Sequence, residues 1–512
     1  MQEYAEKERN ISHNKMAFHS AKRSRVNLKK ERVKLSKYDL IVKGGKVVFE
    51  NYGPYCCDLG IKNGKIVAIQ DQLSQTDSDE VVDATGLVVL PGSVDCHSHL
   101  GIYRPLDIDT QSETQSALVG GVTTLLSYFR TGQHYMNKTG PYQEIFPQAL
   151  AATSGNSYVD FGFHISPMSR DQVGEIGWLI DSGVTTFKYF MFYKGLNLSA
   201  SSTDGQALTM SDSYDLGHLY TIMTEVEKQS QKFGDNTRLS VSVHCEDDEL
   251  IKRFIDKVKM QGLQGLHAYC EARPPLSERV AIHKATAVAS STKASLNLLH
   301  LTSAEAIKAA QEARSMYPDC DIKVEVTLHA LGLTYDMLEG KGLGGKVNPP
   351  IRTKSDSDAL WDALKKGHVD WVGSDHACTM SEMKGNELWS AACGFGGTSL
   401  MYPFMISEGF HKRGISLSRI SQLVSTNPAR SHACYPQKGH IAVGADADLA
   451  IVDLELEQEV KTDMLHSAQD YTPFEGMKLK GWPVRTILRG KTVYLNGAVV
   501  GTPSGQYLKR PL

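Results

Sequence analysis

Residues 90–104 read LPGSVDCHSHLGIYR. An apolar run (Val88, Val89, Leu90) ends at Pro91-Gly92 and leads into Asp95, His97 and His99. Side chains along an extended segment alternate with period two, so the two histidines point to the same side. Together they can grip one ion. Imidazole nitrogens suit zinc and similar divalent metals, and ligands at a strand end are held stiffly enough to leave a coordination position open for water. A His-x-His pair also occurs in chains that bind no metal, so the residues downstream decide.

From residue 92 to 431 apolar strand-like runs alternate with helix-like segments, the pattern of repeated βα units around a parallel sheet. After the strand at Val94, further strands are expected at Thr123–Tyr128, Val159–Ile165, Thr185–Phe190, Leu239–His244, Leu296–His300, Lys323–Leu328 and Val369–Gly373. Eight such units make a (β/α)8 TIM barrel, whose chemistry sits at the C-terminal strand ends. There the first strand offers His97 and His99, the fourth Lys188, the fifth His244, the sixth His300 and the eighth Asp375. Taken singly, His244 or His300 fits a hydrogen-bonded core histidine. Lys188 lies inside an apolar run, where an ammonium needs a counter-charge, a lowered pKa or covalent modification. Four histidines, a lysine and an aspartate at five strand tips point to a shared metal ligand.

The flanks read differently. Short alternating runs at Asp39–Val42, Lys46–Phe49, Cys57–Lys62 and Lys65–Ile69 include an Asn63-Gly64 hairpin turn, and the pattern returns at Asp448–Val452, Val484–Leu488 and Lys491–Tyr494, with Asn496-Gly497. These two sets pair most economically into one smaller β-sandwich built from both ends of the chain, giving an α/β architecture: residues 38–91 and 432–500 as sandwich, 92–431 as barrel and 501–512 as a tail. Residues 1–37 form a basic arm (Lys22, Arg23, Arg25, Lys29, Lys30, Arg32, Lys34) that buries too little apolar surface to order itself. Its interleaved Glu31 and lack of aromatics in the basic cluster argue for a solvated tail rather than a nucleic-acid arm, and Met16 is an alternative start of translation.

Composition excludes other classes. The 512 residues carry a net charge of only −3, so neither nucleic acid nor an anionic membrane is an expected partner. No apolar run approaches the roughly 20 residues that cross a bilayer, and no secretion signal is legible, so a cytoplasmic location is expected. Nine cysteines without a CxxC pair, Cys56 and Cys57 adjacent, read as free thiols.

The motifs Asp95-Cys96-His97-Ser98-His99, Gly120-Gly121-Val122-Thr123-Thr124, Phe187-Lys188 through Tyr193-Lys194-Gly195, His244, His300, Asn348-Pro349-Pro350-Ile351-Arg352, Gly373-Ser374-Asp375-His376, Asn427-Pro428-Ala429, Gly444-Ala445-Asp446-Ala447-Asp448 and Pro473-Phe474-Glu475-Gly476 occur in one order. In these the chain resembles the amidohydrolase superfamily, in the cyclic amidohydrolase branch of hydantoinases, dihydropyrimidinases, allantoinases and dihydroorotases. The resemblance covers nearly everything from Tyr38 to Tyr494. It implies two divalent metal ions per subunit, most often Zn2+ and otherwise Mn2+, Co2+ or Fe2+. His97, His99 and Asp375 would hold the first and His244 and His300 the second. Lys188, carbamylated by CO2 or bicarbonate to N6-carboxylysine, would bridge them. A metal-bridged hydroxide would open the cyclic amide bond of a small ureide-like ring, with Asp375 as base and Tyr193 stabilising the oxyanion. Asn348 and Cys393 fall where substrate contacts are expected. Asn348 replaces a usual serine, and the Cys393–Thr398 loop with Gly396-Gly397 looks closer to that of allantoinases. Hydantoinase or dihydropyrimidinase activity is the leading expectation and allantoinase the alternative; non-catalytic relatives that assemble without metal lack ligands retained here. Homotetramers are common among relatives. His376 is expected behind Asp375 as an orienting donor or as filling, His164 and His329 as structural, Arg352 as a surface or structural arginine, and Arg104 as a weak contender for a substrate carboxylate.

Overall fold

The computed structural model describes residues 36–193, 214–233 and 237–511. The basic arm ahead of residue 36, Met16 and the Lys194-Gly195 pair lie outside the described residues. The middle of the chain forms eight strands in sequential parallel order: Ser93–Ser98, Val122–Arg130, Asp160–Ser166, Thr186–Phe190, Ser240–His244, Ser295–Leu298, Ile322–Thr327 and Trp371–Gly373. The ring nearly closes where the end of the last strand meets the first, through a parallel bridge between Ser98 and His376 and the bond from His99 N–H to the His376 carbonyl (2.7 Å). Most of these strands are buried from end to end, as expected for a parallel sheet covered on both faces, and so they read as apolar runs rather than alternations. Helices return the chain between strands, and several start on a side-chain cap: Asp247 for Asp248–Gln261, Ser303 for Ala304–Met316 and Thr353 for Lys354–Lys365. Each such cap satisfies an amide the helix cannot and contributes about 1 kcal/mol.

The two ends of the chain build a second, nine-stranded sheet. The runs expected at Asp39–Val42 and Lys46–Phe49 are one strand, Tyr38–Phe49, with a register shift between Val42 and Gly45. The apolar run at Val88–Pro91 belongs to this sheet. It pairs parallel with Tyr38–Phe49 and antiparallel with Leu449–Glu459, joining the N-terminal strands to the C-terminal ones. Gly92 is then the pivot between the sheet and the barrel; a Cβ there would lie 2.1 Å from Thr123 Oγ1, so only glycine fits. Asn63 and Gly64 (φ 50° and 76°) make the expected hairpin turn. The sheet has an apolar core of its own around Leu59, Ile66, Val89, Leu449 and Ile487.

Beneath the barrel, Lys438 is clamped by Asp160 (2.5 Å), Asp448 (2.8 Å) and Asp446 (2.9 Å), tying the start of the third barrel strand to the segment that enters the C-terminal sheet. The tail beyond residue 500 packs beside it. Phe161 N–H donates to the Gln506 carbonyl (2.9 Å), Leu508 N–H to the Phe161 carbonyl (2.8 Å), and Arg510 is buried. No described helix is long and apolar enough to cross a membrane, and all nine cysteines are free thiols.

Candidate metal centre at the barrel mouth

The barrel brings all six strand-end residues together. His97 and His99 each turn Nε2 to the same oxygen, Oδ1 of Asp375, at 3.1 Å, across the seam between first and last strands. The His97 and His300 rings lie 5.3 Å apart, and those of His244 and His300 4.3 Å. Lys188 is 1% exposed, its Nζ 4.4 Å above the ring of Tyr128 and 4.9 Å from that of Phe190. His300 and Asp375 both stand just past their strands with positive φ (40° and 51°). Such backbone is rare for non-glycine residues and persists where surrounding structure holds it, commonly at functional sites.

Burial sets the charges. It pushes the His99 and His244 imidazoles down to about 4, against the pull of Asp375 and Glu246 respectively, and holds His300 well below the usual histidine range. The three are neutral at physiological pH. Burial also lowers Lys188 to about 8. Asp375 goes the other way. Burial opposes its charge, but His97 and the hydrogen bond from His99 outweigh it and keep the carboxylate ionised.

The donor set fits divalent metal ions. His97 Nδ1 bonds the Glu325 carboxylate at 2.6 Å. A carboxylate only accepts, so Nδ1 carries a ring proton toward Glu325, and Nε2 is turned to the oxygen of Asp375. His97 Nε2, Lys188 Nζ and His300 Nδ1 are buried and without a hydrogen-bond partner among the described residues. Two other clusters with metal-like composition differ. Asp109, Glu113 and Cys378 are answered by Arg104 and His376, and Asp160, Asp446 and Asp448 by Lys438.

Several residues that shape the site were not singled out from sequence. Glu325, fully buried in the seventh strand, also accepts from the His300 backbone N–H (3.1 Å) and Trp371 Nε1 (2.8 Å), so one carboxylate positions a histidine on each side of the centre. An acid within the apolar run Val324-Glu325-Val326 carries the same signal as Lys188. Tyr135 hydroxyl meets His99 Nδ1 at 2.6 Å, and Glu246 joins His244 Nε2 (2.7 Å) to Arg273. Other expectations need correction. His376 does not bond Asp375; its Nε2 pairs with Glu113 (2.9 Å) and its Nδ1 accepts from Gly397 N–H (3.1 Å), so it holds the glycine-rich loop. Arg104 pairs with Asp109 and Glu113 instead of facing a ligand. Of the two readings of Arg352 the structural one fits, since it is buried against Glu278 (2.8 Å). His164 Nε2 meets the Cys96 carbonyl (3.2 Å) and His329 Nε2 meets Thr327 Oγ1 (3.0 Å), in keeping with structural roles.

The centre opens into a cavity of about 560 Å³, large enough for a small ring, and Tyr193, Asn348 and Cys393 all line it. Tyr193 stacks on Phe190 (4.6 Å between centroids). Tyr269 hydroxyl donates to Asn348 Oδ1 (2.5 Å) and lies 3.4 Å from Cys393 Sγ, linking the two loops that carry these residues.

Known proteins resemble this chain over most of its length. The amidohydrolase family pattern matches residues 216–493. An allantoinase of Deinococcus radiodurans is 32% identical over 480 residues, covering 92% of this chain and 98% of that protein. A D-hydantoinase of Ralstonia pickettii is 31% identical over 488 residues, covering 92% and 99%. Among solved structures, an L-hydantoinase (dihydropyrimidinase) from Arthrobacter aurescens superposes with a TM-score of 0.82 at 28% identity, covering 92% of this chain and all of that one. Barrel and terminal sheet agree with these likenesses, and the chain belongs to the amidohydrolase family, in its cyclic amidohydrolase branch.

Proposed function

We propose that this protein is a binuclear metal-dependent hydrolase that opens the cyclic amide bond of a ureide-like ring, a hydantoin or a dihydropyrimidine. His97, His99 and Asp375 would hold one divalent ion and His244 and His300 the other, with Lys188 as N6-carboxylysine supplying the shared anionic ligand. The observation that carries this reading is the set of buried donor atoms on His97, Lys188 and His300 that nothing in the described protein satisfies. Lys188 suits carbamylation because burial lowers its pKa to about 8, so that far more of its amine is neutral near physiological pH than in an exposed lysine. The neutral amine adds to CO2 and releases one proton, and the resulting anion resolves the cost of a buried ammonium. Zn2+ leads by ligand type, with Mn2+, Co2+ and Fe2+ able to use the same donors.

Bound metals supply acidification of a water and polarisation of the scissile carbonyl. The chain's own residues do the rest. Asp375, ionised at the cavity wall, takes the proton of the attacking water and passes it to the leaving ring nitrogen. Tyr193 donates its hydroxyl to the carbonyl oxygen as it gains charge. Glu325 fixes the His97 tautomer, and Glu246 that of His244. Asn348 and Cys393, drawn together by the Tyr269 hydroxyl, form one wall against the ring. We also propose a cytoplasmic location, from the hydropathy of the chain, and a homotetramer, from the family resemblance.

Allantoin ring opening is the second reading, favoured by the Gly396-Gly397 loop and by the 32% identity to an allantoinase. One experiment separates the two: ring opening of hydantoin, dihydrouracil and allantoin in parallel, with metal-replete wild type and Lys188→Ala. Turnover of one ring that is lost in the variant supports the mechanism and selects the substrate. Turnover that survives in Lys188→Ala contradicts it.

A further inference from the structure

Arg130 ends the second barrel strand and lines the same cavity as the metal-ligand set. It is 5% exposed, yet no carboxylate among the described residues lies within ion-pair distance of it. Its guanidinium carbon sits 5.5 Å from the ring centre of Tyr135 and 5.4 Å from that of Tyr193. Nη1 donates to the carbonyls of Thr131 (3.1 Å) and Gln133 (2.8 Å), while Nε is buried without a partner. The other cations around this cavity among the described residues are accounted for. Arg273 is paired with Glu246, Lys346 donates to the Ala391 carbonyl (2.6 Å), Lys384 donates to those of Lys346 and Ala392 (3.0 Å each), and Lys188 belongs to the metal bridge.

A guanidinium in protein is always protonated, and burying one without a counter-charge is costly. The loop that follows is itself strained: His134, Tyr135, Met136 and Asn137 all have positive φ (69°, 47°, 79° and 52°), and none is glycine. Anchoring that loop needs only the donors of Nη1, which a neutral side chain could supply. The charge faces only the rings of Tyr135 and Tyr193 and no carboxylate among the described residues.

We infer that Arg130 is the receptor for a carboxylate carried by the substrate, so that the preferred substrates are cyclic ureides bearing an acidic group. This rests on the ring-opening reading above and adds the substrate's charge to it. The planar fork of arginine binds a carboxylate through two parallel hydrogen bonds, a geometry lysine cannot reproduce. Arg104, the arginine nearest the His-x-His motif in sequence, is spent on Asp109 and Glu113.

The test uses two ligands of matched shape, hydantoin-5-acetic acid and hydantoin-5-acetamide, with metal-loaded wild type, Arg130→Gln and Arg130→Lys. Calorimetry reads binding, and a separate assay reads ring opening. Wild type is expected to prefer the acid by about 100-fold in Kd and in kcat/KM. In Arg130→Gln the ratio falls to near unity, and Arg130→Lys keeps part of it. Thermal melting identifies a variant that has not folded, and the other Arg130 variant then carries the comparison. A wild type that binds both ligands equally, binds neither, or keeps its preference in folded Arg130→Gln overturns the inference. Preferential binding of the acid without turnover of either ring upholds Arg130 and rejects ring opening. Turnover without preference does the reverse.

Discussion

Lys188 and Lys438 are each 1% exposed, one at the mouth of the barrel and the other beneath it, and their surroundings are opposite. Lys438 has three carboxylates within 3 Å, and although burial alone would lower its pKa, those charges hold it far above the usual lysine range. Lys188 has aromatic faces and histidines around it, and its amine has no hydrogen-bond partner among the described residues. Both are buried polar sites of the same fold, yet one is closed on itself and the other is arranged for something the protein does not make. A satisfied buried charge holds segments together, whereas an unsatisfied group among neutral histidines marks a place where a ligand completes the structure.

Substituting each lysine tests the contrast. Lys188→Ala should lower turnover at least roughly a thousandfold, since several kcal/mol of transition-state stabilisation depends on the metals it bridges, while metal-free protein melts no lower than wild type. Steady-state assays and melting curves check both halves. Lys438→Ala should do the opposite: three carboxylates are left buried without their shared cation, at a cost of about 3–5 kcal/mol, so denaturant unfolding shifts markedly while folded protein keeps its kcat. Next in size is Glu325→Gln, which leaves the ring of His97 in place but weakens its hold on the tautomer. Metal affinity should drop about 10–100-fold, read by competition with a coloured chelator.

The smallest effect is a pH dependence of the metal-free, bicarbonate-free protein. Lys188 is lowered from 10.5 to about 8 in the folded chain. Between those values the unfolded chain holds the proton and the folded chain does not, so the contribution of Lys188 to stability rises with pH across the window. The difference between wild type and Lys188→Met in urea titrations from pH 7 to 11 should show that rise. A flat difference would mean that the amine is not desolvated as described.

Much of the site was legible because its residues interrupt patterns. His97, His99, His244, His300 and Asp375 stand where apolar runs end, and Lys188 breaks one. The barrel follows from the same runs, and the hairpin at Asn63-Gly64 from turn chemistry. Glu325 and Arg130 carried comparable signals, an acid inside an apolar strand and a cation at a strand end, and deserved the same weight as Lys188. The partners of those residues were not legible. That His376 serves Glu113 and the Gly397 loop instead of Asp375, or that Arg352 is buried on Glu278, depends on contacts between segments far apart in sequence, which no local pattern encodes. Likewise, Val88–Pro91 reads as an approach to the barrel, and only its pairing with both chain ends shows that it belongs to the smaller sheet.

The central claim is that the barrel mouth is a two-metal site bridged by carbamylated Lys188. The most direct measurement is the metal content of protein reconstituted with Zn2+ and 13C-bicarbonate, read beside its carbamate carbon resonance in the same sample. The account predicts two equivalents of metal per chain and one carbamate signal, both diminished in Lys188→Ala. Two tightly held metals with no carbamate signal, or a metal content unchanged in the variant, would contradict it.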